Sequence, residues 1–233
     1  MVVAYVVLVR LVWTGRRRQE GISGGAAAGR AGRDIVAVMS SDIEPTVTVR
    51  TSERGAATRL ALLEAAREIF ITCGFAETGV TDVVARAGAS VGSLYHHFSG
   101  KADLYLTLFD DFQARQTQRT RQAIQEARSR GESEPMKLLL AGARAYLDGC
   151  LAERELAALF LRGDGPTGFE VVMRERLRQW TRRSAALFER EDALVLVVTG
   201  ALAAVVQEVT LSEDDERARR IAEESLALIG RIH

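Results

Sequence analysis

Between Thr58 and Phe98 the chain carries three short apolar periodicities separated by glycines and hydroxyl residues, and that punctuation leaves few ways to fold. Leu62, Ala66, Ile69 and Cys73 recur at spacings of four, three and four, which lines one face of an α-helix. Gly74 follows at once, a residue free to take the left-handed conformation that ends helices. Thr78 is then placed to cap a second helix, in which Val80, Val83, Val84 and Ala87 share a face. Gly88 permits a sharp turn, and Ser90 is a natural cap for a third helix. There Val91, Leu94 and Phe98 form a stripe that would pin the third helix to the first two.

This packing leaves Ser93, His96 and His97 on the outward side, with Tyr95 at the border. Major-groove readers set a helix and a few such side chains against base edges and phosphates. Gly92 lets the backbone approach a phosphate or base closely, and Lys101 is placed to meet a phosphate as a point charge. The bland alternatives are a solvated face for Ser93 and Lys101, and a core tyrosine with a wet hydroxyl at Tyr95. A metal site at His96 and His97 is not expected. Adjacent helical residues point about 100° apart, and no Cys or carboxylate cluster accompanies them.

The run Gly74-Phe75-x-x-Thr78-x-Val80-x-x-Val83, then Ala87-Gly88-x-Ser90-x-Gly92-Ser93-Leu94-Tyr95-x-His97-Phe98-x-x-Lys101-x-x-Leu104, resembles the DNA-binding domain of the tetracycline-repressor (TetR) family. The resemblance runs nearly gap-free from Thr58 to Leu104. It implies DNA contacts at Thr78, Ser90, Val91, Gly92, Ser93, Tyr95, His96, His97 and Lys101. Two residues depart from the family pattern: Val91 stands where Lys is frequent, which removes a phosphate partner, and Gly79 where Thr or Ser is common.

Thirty-one Lys plus Arg balance 31 Asp plus Glu, so a diffuse polycationic grip on nucleic acid is excluded and any contact must come from local placement. Arg50, Arg54 and Arg59, ahead of and within the first helix, suit that role and suit a solvated helix start equally. The two cysteines, Cys73 and Cys150, both fall on apolar helical faces and read as small buried hydrophobes. Few prolines, abundant Ala, Leu, Arg and Glu, and no alternating pattern point to an all-α fold.

Three segments are expected: an arm over 1–49, a helix-turn-helix head over 50–101, and a larger helical ligand-binding and dimerisation domain over 102–233. Met1 to Trp13 is apolar but shorter than the about 20 residues a spanning helix needs, and it lacks the charged start and cleavage site of a secretory signal. Translation from Met39 is the favoured reading of this extension, with a membrane-surface anchor as runner-up. A cytoplasmic protein with no membrane partner is expected.

Beyond Leu104 a fourth helix extends through Tyr105, Leu108, Phe109 and Phe112, and an Arg/Gln-rich stretch runs to about Arg130. Pro135 opens another helix, and Gly163-Asp164-Gly165-Pro166 marks a turn. Phe169 to Leu187 then reads as a long amphipathic helix. Ala193 to Val209 is apolar nearly all round and is expected to be buried on several sides. Ser212-Glu213-Asp214-Asp215 starts a last helix, with Ile221, Leu226, Leu228 and Ile229 on its apolar side. The resemblance implies that these last two helices pair with their mates in a homodimer, which the small Gly200, Ala201, Ala203 and Ala204 would suit.

Tyr105, Phe109, Phe112, Tyr146, Phe160, Phe169 and Trp180 are candidates to line a pocket for a small apolar or amphipathic effector, although aromatics at this spacing are more often plain core. No cofactor is expected. An enzyme would need a nucleophile–base pair, metal ligands or a cofactor loop. The three histidines are two neighbours and a terminal residue, which offers none of these. The expected function is a ligand-responsive transcriptional regulator, a repressor that binds a palindromic double-stranded DNA operator. The alternative is a dimeric helical interaction protein whose helix-turn-helix no longer binds.

Overall fold

A computed structural model describes residues 53–186, 188 and 192–232; the arm, Met39 and Arg50 lie outside the described residues. Among the described residues the chain is all-helical: α1 Glu53–Cys73, α2 Val80–Ala87, α3 Val91–His97, α4 Lys101–Ser129, α5 Pro135–Ala152, α6 Arg154–Leu161, α7 Phe169–Ala185, α8 Asp192–Leu211 and α9 Asp215–Ile229.

The head forms as its punctuation directs. Gly74 (φ 85°) ends α1 and Gly88 (φ 61°) ends α2, both in the left-handed region where a side chain would be strained. Ser90 caps α3 by accepting the Ser93 N–H at 3.0 Å. Val83 and Leu94 are fully buried against Leu62, Ala66 and Phe70 of α1. Each such side chain contributes about 2 kcal/mol of transfer free energy.

Several local expectations need correction. The cap of α2 is Gly79, whose N–H donates to Asp82 Oδ2 at 2.7 Å, and not Thr78. Thr78 is 3% exposed and its hydroxyl donates to the Gly74 carbonyl at 2.6 Å. The backbone carbonyl four residues back outcompetes the role of helix cap. Cys73 is exposed because the buried stripe of α1 runs through Phe70, leaving the helix's last residue facing out. Cys150 is buried, as its pattern suggests.

The fourth helix is one continuous rod to Ser129, and it packs along α5. Between them, Arg115 and Arg119 of α4 both donate to the Glu153 carboxylate, at 2.6 Å each. Glu153 also marks the break between α5 and α6, a boundary that the apolar pattern does not announce. At the other end of the body Asp214 caps α9, accepting from the Glu216 and Arg217 N–H groups at 2.9 and 3.0 Å.

Helix α8 packs against α5, α6, α7 and α9, yet within one chain it is buried on one side only. Leu196 and Val197 are each 59% exposed, and Leu211 and, on α9, Leu228 also face outward. The expectation of burial on several sides therefore fails for the single chain.

The head and body are not separated by a gap in packing. One apolar cluster runs from Leu62 and Phe70 of α1, through Leu94 and Phe98, to Leu104, Phe109, Phe160 and Phe169 of the body. Helix α1 packs on both α4 and α6, so the head is seated on the body.

Candidate nucleic-acid interface

Helix α3 has one fully buried side chain, Leu94, and turns most of its remaining surface outward. Tyr95 is 57% exposed, His96 is exposed, and Ser93 and His97 are half-buried. The structure thus settles the border position: Tyr95 is a surface residue. Val91, expected in the stripe with Leu94 and Phe98, is 43% exposed instead. It occupies the first position of the helix, where the chain is still emerging from the Ser90 cap, so Leu94 and Phe98 alone do the anchoring.

Arg54, Gly55 and Thr58 of α1 and Gly92, Ser93, His96 and His97 of α3 line an open cleft of about 410 Å3. The side chains supply a guanidinium, two hydroxyls and two imidazoles, all hydrogen-bonding groups suited to phosphate oxygens or base edges. The His96 and His97 rings stand edge to face with centroids 4.9 Å apart. Arg59 does not join the cleft, because its guanidinium lies 5.1 Å from the centroid of the Phe98 ring. Ser90 and Ser93 are occupied with each other, their hydroxyl oxygens 3.0 Å apart.

Lys101 is engaged within the protein itself. Its ammonium donates to the Phe75 carbonyl at 2.7 Å and the Ala76 carbonyl at 3.3 Å, and sits 4.3 Å from the centroid of the Phe75 ring. The first residue of α4 therefore holds the turn between α1 and α2. The oxygens beyond Gly74 draw the charge inward, where it satisfies carbonyls that no helix serves.

Two further residues complete this junction. The Asp164 carboxylate accepts the Phe75 N–H at 3.0 Å, and Arg162 donates to the Ile71 carbonyl at 3.4 Å. Both come from the segment between α6 and α7, so a body loop grips the end of α1. Sequence reading marked Gly163 to Pro166 as a turn without giving Asp164 a partner. The hint was an aspartate set between glycines with no helix of its own to cap.

The candidate effector residues do not share a lining. Tyr105, Phe109, Phe160 and Phe169 pack edge to face at centroid distances of 5.0 to 5.4 Å, with Phe112 5.6 Å from Phe160. The rings fill the space they were expected to surround. Tyr146 packs on the edge of this cluster, whereas Trp180 belongs to a second one with α8 and α9. Tyr105 also touches Phe70 and Phe75 at 5.8 and 5.2 Å, which joins the cluster to the head. Its hydroxyl donates to the Leu159 carbonyl, and burial, reinforced by the nearby Asp164 charge, keeps the phenol well above its ordinary pKa.

A polar seam between α4 and α5 was not anticipated. Gln116 is fully buried with neither amide atom paired, and its oxygen would lie 2.1 Å from a Cβ placed on Gly149. The glycine lets the amide lie close against α5. Tyr146 and Cys150 lie nearby, and burial pushes the Cys150 thiol up to about 12.

A three-helix head with these turns, and an outward face of hydroxyl, imidazole and phenol, defines a helix-turn-helix protein. Residues 62–108 match the model for bacterial regulatory proteins of the tetR family. The head of the chain thus matches that family's DNA-binding domain. Over 61 residues it is 39% identical to the HTH-type transcriptional regulator TtgR of Pseudomonas putida, a match covering 26% of this chain and 29% of that one. Over 87 residues it is 33% identical to the HTH-type transcriptional activator FasR of Mycolicibacterium smegmatis, 37% of each chain. The fatty acid degradation regulator FadR from Bacillus halodurans shares the fold, with a TM-score of 0.61 and 16% identity over 75% of this chain and 95% of that one. The chain spans less than two fifths of the length of the curated relatives TtgR and FasR.

Proposed function

We propose that the protein is a ligand-responsive transcriptional repressor that binds a palindromic operator as a homodimer. The observation that carries this reading is the outward face of α3 beside the cleft of Arg54, Ser93, His96 and His97, a surface of donors with no partner element of its own. Each head places α3 in one major groove, and two-fold symmetry sets the half-sites about one helical turn apart.

The dimer is supported by α8. It is long and apolar enough to cross a membrane by composition alone, but it packs on four other helices and leaves Leu196, Val197 and Leu211 outside. A second copy of the same face covers these side chains in an isologous contact. Gly200, beside which a Cβ would meet nothing within 4 Å, leaves room for close approach.

The response to ligand is assigned to the aromatic cluster. An apolar or amphipathic effector that parts Tyr105, Phe109 and Phe169 moves α4 relative to α1, because the Tyr105 ring also packs on Phe70 of α1 and on Phe75 just beyond it. Such an effector must bind the operator-incompetent arrangement more tightly; equal affinity for both shifts nothing. The protein acts in the cytoplasm, where the DNA is.

The test is selection of the full chain on a random duplex pool at about physiological salt. An enriched palindrome is the expected result. A folded dimer that enriches nothing would overturn DNA binding and favour an interaction protein.

A further inference from the structure

The outward side of α3 is not uniformly polar. Val91 and Tyr95 stand four residues apart and so lie on one face, one above the other. They are 43% and 57% exposed, and Gly92 beside them adds no side chain. Leu94, by contrast, is fully buried. The helix therefore presents an isopropyl group and, one turn on, a phenol ring to the exterior. The hydroxyls that could have made this patch polar, Ser90 and Ser93, are turned toward each other.

An isopropyl group neither donates nor accepts, so it gains nothing from a phosphate or from the polar edges of guanine, cytosine or adenine. The major groove offers one apolar group, the C5-methyl of thymine. Val91 directly precedes Gly92, which lines the polar cleft, and is itself exposed, so a duplex bound at that cleft comes within reach of Val91.

We infer that Val91 reads the methyl group of a thymine in each operator half-site, with the Tyr95 ring shielding that contact from water one turn further along. This rests on the DNA-binding reading above. It assigns the exposed valine a selective role and requires an A·T pair at the position it faces.

Deoxyuridine differs from thymidine in a duplex only by this methyl, which makes the test direct. With the operator selected by the full chain, each thymine of one half-site is replaced in turn by uracil. Affinities are measured by fluorescence anisotropy for the wild type and Val91→Ala. One uracil should weaken the wild type about fourfold, the worth of burying one methyl group. The same replacement should change Val91→Ala by less than about half that factor, a coupling between valine and methyl. Because Val91 is at the surface, the variant should melt at the wild-type temperature, which circular dichroism checks.

An operator whose thymines all tolerate uracil overturns the inference while leaving operator binding intact. So does a uracil penalty that persists in full in Val91→Ala, or a half-site without thymine. If no duplex is enriched at all, operator binding itself fails and the inference falls with it.

Discussion

Helices α3 and α8 both leave side chains without partners in the single chain, but the exposed chemistry is opposite. Helix α3 is short, anchored by Leu94 with Phe98 just beyond it, and shows two imidazoles and a phenol beside the lone apolar Val91. Helix α8 is long, held by four neighbours, and shows Leu196, Val197 and Leu211. A polar face can stand in water at little cost and wait for a partner that comes and goes. An apolar face of that length cannot, and it calls for a partner that stays. On the proposed function, the contrast separates a reversible contact with DNA from a permanent contact with a second copy.

The largest effect expected from this contrast is on the α8 side. Leu196→Glu combined with Val197→Glu should weaken self-association about a thousandfold by burying unpaired charge, read by sedimentation equilibrium. An unchanged dimer would mean that this face is not the interface.

Next is the anchor of α3. Leu94→Ala should cost about 3 kcal/mol of head stability and abolish DNA binding, measured by chemical denaturation beside a binding assay. Full binding with a lost anchor would show that α3 is held by something other than its core face.

Lys101→Met gives a smaller and more discriminating result. The ammonium bonds to the carbonyls of Phe75 and Ala76, so its loss should cost about 1.5 kcal/mol of stability. The slope of log affinity against log salt should stay as it was, because no phosphate contact is removed. A slope lowered by about one counterion would place Lys101 in the DNA-contact set.

The smallest effect has the opposite sign. Gln116→Leu replaces a buried amide that lacks partners and should stabilise the body by about 1 kcal/mol, seen as a raised midpoint of thermal unfolding. A destabilised variant would reveal a partner for that amide.

The head was legible in the sequence where the deciding interactions are local. Gly74, Gly88 and Ser90 act on the residues next to them, and Leu94 and Phe98 follow a helical period that no distant contact overrides. The rest was less legible where the partner is remote or the helix end shifts the face. Lys101 finds its carbonyl 26 residues back, and Asp164 meets Phe75 across 89 residues. Val91 and Cys73 sit at helix ends, where an apolar residue can satisfy the period and still face water. The aromatic residues were correctly seen as apolar positions of their helices. Periodicity cannot tell a ring that lines a space from one that fills it, and here the rings fill it.

The most direct test of the paired roles of α3 and α8 is the stoichiometry of the full chain on its selected duplex, by sedimentation velocity. The palindrome should carry two chains, and scrambling one half-site should lower affinity at least about a hundredfold, since one head's contacts are then lost. One chain per duplex, bound equally well to a single half-site, would contradict the account.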